Sequence, residues 1–270
     1  MADVVDFPEK PGYSKHDLER VQQKLLEMAD VVTDILDGNG IRHFITFGTL
    51  LGSVRHGGFI PWDDDFDLML FDDEYEQALV ALRRELPEGL IVHDRQTDPI
   101  FWPSWSRVRD IHSSAKATLW PDDNAYRYTG VNLDLYRVKR MKKSQVDLYR
   151  AKEHLEFVVR KHTSGVMADE VYNKKFDAFA AEYARLLPTR ENGVASEDPI
   201  GFTSGLPDFI FLEEQTILPL RKYDFCGRKF WGPKDADALL RHMFGDYMTL
   251  PPYEKRLSHY DEIVFDQKGA

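Results

Sequence analysis

The sequence predicts an α/β protein of the mixed, α+β kind, in which a mixed sheet has flanking helices and a helical appendage. Short runs rich in β-branched and aromatic residues alternate with amphipathic stretches of helical period. The stretch from Phe44 to Phe71 passes from a strand pattern through a glycine turn into a short helical pattern, then back to a strand. Two charged amphipathic segments, residues 144 to 163 and 168 to 187, predict the appendage.

The first predicted element is an amphipathic helix over residues 14 to 38. Ser14 is a favourable N-cap residue, and Asp17 places a negative charge in the first turn. Apolar residues recur at helical spacing as far as Ile35, and Gly38 ends the pattern. This regular period indicates a helix that packs against the core.

Acidic residues lead into the strand that ends the next segment. Side chains two apart on a strand share a face, so Asp65 and Asp67 point one way while Phe66 and Leu68 point the other. Their positions are about 6.6 Å apart along the strand, and the carboxyl groups could approach to about 4 Å. At that distance like charges repel by about 4 kcal/mol at an effective dielectric of about 20. Mg²⁺ or Mn²⁺ would relieve this repulsion, so both residues are candidate metal ligands, with an exposed acidic loop as the alternative.

A calcium-binding EF-hand loop is a second alternative. Acidic residues stand at its first, third, fifth and twelfth positions when the count begins at Asp63. The sixth position of such a loop needs glycine for its turn, and this chain has Leu68 there. Leu68 also begins an apolar run typical of a buried strand, which argues against the EF-hand.

The glycine turn before these acids has features that suit a phosphate group. Gly48 permits close approach of the backbone, and the free N–H groups at the start of the following helix attract anions. Thr49 offers a hydroxyl, and Arg55 offers two parallel donors. Arg55 is equally compatible with an ordinary surface position. Joined to the carboxylate pair, the three residues form a candidate phosphate site.

Further along the chain, the pattern predicts a helix over residues 72 to 86, ended by Pro87 and Gly89. In the last strand of this region Asp134 lies on the polar face, where polar and apolar residues alternate. Asp134 is therefore a candidate third carboxylate. The predicted strands are residues 90 to 94, 106 to 111, 115 to 119 and 131 to 138.

Aromatic and arginine residues are concentrated between residues 101 and 128. One interpretation is packing in the core and on the sheet surface. The other is a wall that stacks a base or surrounds a quaternary ammonium group, where each ring face contributes about 0.5 to 2 kcal/mol. The binding candidates from this region are Trp102, Trp105, Arg107, Arg109 and Tyr128.

The C-terminal part begins with residues 188 to 207, whose composition predicts a long loop able to cover a substrate. Short strands around residues 222 to 230 and a helix over residues 233 to 244 follow. The tail carries Arg256 and His259, two cationic candidates in an acidic protein. They could bind a phosphate, or they could pair with surplus carboxylates.

Composition excludes several classes of protein. A net charge of −11 over 270 residues argues against a nucleic-acid polymer as partner, because phosphate neutralisation needs a basic face. Cys226 is the only cysteine, so no internal disulfide forms, and this suits a reducing compartment. No apolar run approaches the roughly 20 residues of a transmembrane helix, and the N-terminus lacks a signal-peptide core. We therefore expect a cytoplasmic protein, either free or at the inner face of the membrane.

The stretch FGTLLGSVRHGGFIPWDDDFDLML resembles the signature of the LicD family, which includes fukutin and fukutin-related proteins. Three further blocks, GVNLDLYRV, FCGRKFWGP and FGDYMTLPPYEKRLSHY, extend the resemblance over most of the chain. It implies a nucleotidyltransferase fold of the DNA polymerase beta type in a single domain, residues 1 to 270. The catalytic core would span about residues 40 to 140, and helical and C-terminal substrate-binding elements would span about residues 141 to 270. Departures from the family pattern are small, such as Phe66 in place of an aliphatic residue.

The resemblance also implies a reaction: metal-dependent transfer of phosphocholine from CDP-choline to a sugar hydroxyl, releasing CMP. The acceptor would be a bacterial cell-surface glycan, such as a teichoic acid, lipopolysaccharide or capsule precursor, free or lipid-linked. Asp65, Asp67 and Asp134 would hold one or two Mg²⁺ or Mn²⁺ ions, with Asp134 also placed to take the acceptor proton. The alternatives are transfer of glycerol phosphate or ribitol phosphate, and a catalytically silent nucleotide- or glycan-binding module.

Overall fold

The computed structural model describes residues 9–187, 198–204, 206 and 211–266, and the elements named below are those of these ranges. The helices are α1 (Lys15–Gly38), α2 (Phe47–His56), α3 (Tyr75–Glu85), α4 (Val146–Thr163), α5 (Asp169–Leu186), α6 (Glu214–Ile217) and α7 (Ala236–Phe244). The strands are β1 (His43–Ile45), β2 (Asp67–Phe71), β3 (Leu90–His93), β4 (Ser106–Asp110), β5 (Ser113–Ala117), β6 (Asn132–Lys142), β7 (Ile200–Thr203), β8 (Leu212–Glu213), β9 (Arg221–Phe225), β10 (Arg228–Gly232) and β11 (Tyr260–Phe265).

A seven-stranded mixed sheet forms the centre of the described part of the chain. Its main path runs β1, β2, β6, β4, β3, and β7 pairs with the distal half of β6 and carries β8. β2 and β6 are parallel, whereas the other neighbouring strands are antiparallel. Both faces of β2 are buried, which explains its continuous apolar sequence. The predicted mixed α/β class is confirmed.

The helix predicted over residues 14 to 38 is α1, and a capping box starts it. The Ser14 side chain accepts a hydrogen bond from the Asp17 amide at 3.2 Å, and the Asp17 carboxylate accepts one from the Ser14 amide at 3.0 Å. The apolar stripe of α1 is buried in the main core, as its period predicts. This helix therefore covers the sheet with its apolar side.

The strand, turn, helix and strand predicted between Phe44 and Phe71 are β1, α2 and β2. Gly57 ends α2 in the left-handed region at φ 70°, a conformation that glycine adopts without steric cost. A hairpin turn cannot join parallel strands, so β2 reaches β6 through α3 and the antiparallel strands β3, β4 and β5.

Other predicted boundaries shift. The helix expected over residues 72 to 86 is the shorter α3, and the strand expected over residues 131 to 138 extends to Lys142 as β6. Helices α4 and α5 form where the two charged segments predict them and pack against each other. Strands β9 and β10 are the short strands expected around residues 222 to 230, and they pair as a hairpin. Helix α7 ends before Gly245 as expected.

Two regions differ from expectation. The loop predicted over residues 188 to 207 contains β7, because its Ile200–Thr203 backbone pairs with β6, so that part of the prediction is wrong. Residues 188–197, 205 and 207 lie outside the described residues. Strand β11 was not predicted, and it pairs antiparallel with β5, far away in sequence. In the described ranges, no helix combines the length and the apolar character needed to cross a membrane.

Candidate active site

Parallel pairing of β2 with β6 places two acidic residues side by side. Asp67 lies opposite Asp134 in the register, and both are buried. The Asp67 amide donates to the Thr49 hydroxyl oxygen at 2.8 Å, so Thr49 ties the N-terminal turn of α2 to the start of β2. The predicted neighbourhood of these two carboxylates thus follows directly from the strand register.

A third and a fourth carboxylate approach Asp67 from the segment before β2. Asp65 lies just outside the strand, and Asp63, two residues earlier, lines the same cavity. The carboxylates of Asp63 and Asp65 both approach Gly48, so two negative charges there repel each other. A Cβ atom at Gly48 would lie 2.7 Å from the Asp63 carboxylate oxygen Oδ2. Glycine at position 48 therefore makes room for Asp63.

Sequence reasoning missed Asp63 as a site residue. The two-residue alternation that pairs Asp65 with Asp67 also reaches Asp63, so the signal was present in the sequence. When Asp63 is considered only as the first position of an EF-hand, its place in this alternation is not evident. The structure does not form an EF-hand loop, because Asp67 begins the buried strand β2.

Electrostatic repulsion dominates this group of carboxylates. Burial, followed by the negative charge of Asp65, raises the pKa of both Asp63 and Asp67 well above the ordinary value. Burial and the charges of Asp64 and Asp134 raise the pKa of Asp65, against the effect of His259. A hard divalent cation bound by oxygen ligands would offset this cost. The donor set of Asp63, Asp65 and Asp67 therefore fits Mg²⁺ or Mn²⁺.

His259 closes one side of the acidic group. Its Nδ1 lies 2.7 Å from Asp64 Oδ1, and its Nε2 lies 3.4 Å from Asp65 Oδ2. Burial disfavours the imidazolium, but the charge of Asp65 and the hydrogen bond to Asp64 outweigh burial and raise the pKa of His259 well above its usual range. Of its two predicted roles, His259 thus takes the pairing with carboxylates. Potential ligand atoms of Asp63, Asp64 and His259 all lie within 4.8 Å of one another.

Asp134 is held by three N–H donors. Trp105 Nε1 donates to Asp134 Oδ1 at 2.6 Å, and Arg107 Nε donates to the same oxygen at 2.8 Å. Asn132 Nδ2 donates to Oδ2 at 3.0 Å. The guanidinium of Arg107 also pairs with Asp123, a buried residue that sequence reasoning did not single out. These donors fix the orientation of the Asp134 carboxylate.

Asp63, Asp65, Asp67, Asp134 and His259 line one cavity of about 570 Å³. Trp102 and Trp105 both contribute to its aromatic wall, but they differ in their environment. The Lys161 ammonium lies 4.4 Å from the centre of the Trp102 ring and pairs with Asp122 at 2.7 Å. Among the aromatic residues in the lining are Phe47, Trp62, Trp102, Trp105, Trp120, Tyr136, Phe157, Phe244 and Tyr260.

Five of the predicted site residues lie outside the cavity lining, and one of them is Thr49, whose buried hydroxyl accepts from the Asp67 amide and does not face the cavity. Arg109 is fully buried, where it donates to His93 Nδ1 at 3.1 Å and to the Gly130 carbonyl at 2.6 Å. Tyr128 packs at 5.6 Å from the His93 ring, measured between centroids.

The remaining two are Arg55 on α2 and Arg256 in the C-terminal tail. Arg55 donates to the Tyr247 carbonyl at 2.6 Å, and Arg256 donates to the Pro251 carbonyl at 3.1 Å while its guanidinium covers the Trp62 ring at 5.0 Å. Because Trp62 lines the cavity, Arg256 contacts a residue of the cavity wall.

The fold and site together define a class of protein. It is an α/β protein whose cavity combines buried carboxylates, the N-terminus of a helix and an aromatic wall. This combination is expected of an enzyme that acts on phosphate esters.

Comparisons with known proteins then identify the family. Residues 40–98 match the model of the LicD/FKTN/FKRP nucleotidyltransferase domain. The chain is similar to the lipopolysaccharide cholinephosphotransferase LicD of Haemophilus influenzae, with 38% identity over 92% of this chain and 97% of that protein. It is 39% identical over 47% of its length to an uncharacterized protein of Rickettsia prowazekii, of which the match covers 50%. This chain therefore belongs to the LicD family.

A shorter match links the chain to a eukaryotic branch. The human ribitol 5-phosphate transferase FKRP is 45% identical over 47 residues, which are 17% of this chain and 10% of that protein.

The raised pKa of Asp67 predicts a pH-dependent stability of the metal-free protein. A carboxyl group with a folded-state pKa above its unfolded value binds more protons when folded, so its contribution is fully present below the ordinary pKa of 3.8 and is lost as pH rises toward the raised value. In EDTA, the melting temperature should fall between acidic and neutral pH, and Asp67→Asn should reduce this fall. Thermal melts across this range test it, with the exposed Asp34→Asn as control. Equal slopes in both variants would contradict the pKa assignment.

Proposed function

We propose that this chain transfers phosphocholine from CDP-choline to a sugar hydroxyl of a cell-surface glycan and releases CMP, on a nucleotidyltransferase fold of the DNA polymerase beta type. The main support is similarity to a cholinephosphotransferase over nearly the full length of both chains. The cavity adds independent support, because buried carboxylates and aromatic rings line the same space. These two surfaces suit the two ends of a phosphocholine group.

The acidic side of the cavity would take the donor's phosphates. Asp63, Asp65 and Asp67 would hold Mg²⁺ or Mn²⁺, which when bound neutralises charge on the leaving nucleotide. The first turn of α2 contributes backbone N–H groups that carry no helical hydrogen bond, and Gly48 lies in this turn and lines the cavity. The donor's phosphates would thus contact the N-terminus of α2 and the metal ion that Asp63, Asp65 and Asp67 would hold.

Asp134, on the neighbouring strand β6, would orient the reacting groups. Its oxygens already accept hydrogen bonds from Trp105, Arg107 and Asn132, so it acts as a fixed negative charge beside Asp67. Arg107 stands next to it in the cavity lining. Together they would keep the acidic wall in one arrangement while donor and acceptor bind.

The aromatic side of the cavity would take the choline group. A quaternary ammonium is attracted to the faces of aromatic rings, and indole is the strongest partner. Trp105 lies between the carboxylates and the rest of this wall, since its indole N–H binds Asp134. The phosphate and the quaternary ammonium of one phosphocholine group would then contact the acidic and the aromatic side of the cavity, which adjoin each other.

Transfer of ribitol phosphate is the second candidate, favoured by the match to FKRP. That match covers 47 residues, whereas the match to the cholinephosphotransferase covers 92% of the chain. A silent binding module is less well supported, because all the predicted carboxylates lie in the cavity lining. The donors CDP-choline, CDP-glycerol and CDP-ribitol separate these options when CMP release is measured with Mn²⁺ and candidate glycans.

Replacing a carboxylate should abolish transfer without unfolding the chain. For Asp65→Asn and Asp67→Asn we expect CMP release from CDP-choline to fall by about 100-fold or more, because electrostatic stabilisation of the leaving group is lost. Excess EDTA should do the same to the unmodified protein. Asp34→Asn, on the exposed side of α1, is the control. Full activity in EDTA would exclude the proposed metal.

Substituting Gly48 tests whether the position of Asp63 matters. The added Cβ of Gly48→Ala would lie 2.7 Å from Asp63 Oδ2 and displace that carboxylate. Misplaced catalytic groups lose rate steeply, so we expect CMP release to fall by about 10- to 100-fold. Gly38→Ala is the matched control, since a Cβ there meets nothing within 4 Å. Equal rates for both variants would show that Asp63 is not required.

A further inference from the structure

A second cavity adjoins the first, on the side of helix α4. Its volume is about 290 Å³, and its lining is mainly polar and charged. The two cavities have lining residues in common, so they meet along one shared wall. The shared residues are Ser104, Trp105, Tyr136, Glu153, Arg160 and Leu206.

Glu153 is unusual among the charged residues of this wall. Lys152 and Arg160 both pair with Glu156, at 3.2 and 3.3 Å. In the part of the chain that the structure describes, the half-buried Glu153 carboxylate has no hydrogen bond and no ion pair within 4.0 Å. Burial and the nearby charge of Glu156 raise its pKa, and the charges of Arg160, Lys152 and Lys139 oppose this effect only in part. A cation from a ligand would offset this cost, since buried charges need a partner.

Aromatic rings lie in the same shared wall as Glu153. Trp105 and Tyr136 line both cavities, and their ring centres are 5.1 Å apart with the planes tilted by 41°. Trp102 is less suitable, because the Lys161 ammonium already lies over its ring. Trp105 also donates a hydrogen bond from its indole nitrogen to Asp134. Its ring therefore lies next to the acidic residues as well as in the shared wall.

Resting on the proposed function, we infer that Glu153, with Trp105 and Tyr136, binds the quaternary ammonium of the transferred group and thereby selects the donor. A trimethylammonium group has no N–H donor, so ring faces and one carboxylate satisfy it without hydrogen bonds. Glycerol and ribitol carry no positive charge, so they have no ion-pair attraction to the Glu153 carboxylate and could meet it only through hydroxyl hydrogen bonds. Glu153 is therefore a specificity residue, separate from the carboxylates that would hold the metal ion.

The test compares Glu153→Gln with Glu156→Gln, three residues further along the same helix. Glu156 is the matched control, because it is paired and its side chain is 43% exposed. For Glu153→Gln we expect the apparent KM for CDP-choline to rise about tenfold. The dissociation constant for CMP and the kinetics with CDP-glycerol should stay within twofold. Glu156→Gln should leave all of these constants within twofold.

Other outcomes overturn the inference. A loss shared equally by CDP-choline and CDP-glycerol, or an unchanged KM for CDP-choline, would show that Glu153 does not bind the cation. If Glu153→Gln melts early, Glu153→Asp is tested instead. Its shorter side chain moves the charge away from the cation, so the KM for CDP-choline should still rise, by less than about tenfold, while the kinetics with CDP-glycerol stay within about twofold. If the unmodified protein releases CMP from CDP-ribitol but not from CDP-choline, the proposed donor and this inference both fail. If it uses CDP-choline while Glu153→Gln behaves like Glu156→Gln, the inference alone fails.

Discussion

The candidate site depends on one constraint, the parallel register of β2 and β6. This register sets Asp67 beside Asp134 and brings two negative charges to one position in the sheet. Asp63 and Asp65 add further charge from the segment that enters β2. Hydrophobic burial of both faces of β2 holds the strand in place against this repulsion. The fold thus supplies the free energy that keeps these acidic side chains close together.

A chain of buried polar groups stabilises the β6 side of this arrangement. Asp134 accepts from Arg107, Arg107 pairs with Asp123, and Asp123 lies 3.6 Å from the guanidinium of Arg109. Arg109 in turn donates to His93, and burial together with the Arg109 charge lowers the pKa of His93 to about 4. His93 is therefore neutral at physiological pH. Alternating charges along this chain leave Asp134 well compensated, unlike Asp63 and Asp67.

Local patterns in the sequence predicted much of this structure. Helix α1, the segment from β1 to β2, and the pair α4 and α5 follow from period and capping, which depend on near neighbours. The pairing of β11 with β5 and the partners of Arg109 could not be predicted, because they join residues distant in sequence. Asp63 is different, since the alternation that marks Asp65 and Asp67 also includes it.

The residues that the proposed function assigns to the donor's phosphates and to its alcohol come from different parts of the chain. The domain model shared by LicD, FKTN and FKRP covers residues 40–98, which include α2, β2 and the acidic segment. Trp105 and Glu153 lie beyond that range, on the chain before β4 and on α4. The matched range contributes Asp63, Asp65 and Asp67 to the cavity, along with Phe47 and Trp62, whereas Asp134 lies outside it. Under the proposed function, Trp105 and Glu153 would contact the transferred alcohol, so substitutions there could change the donor while Asp63, Asp65 and Asp67 stay the same.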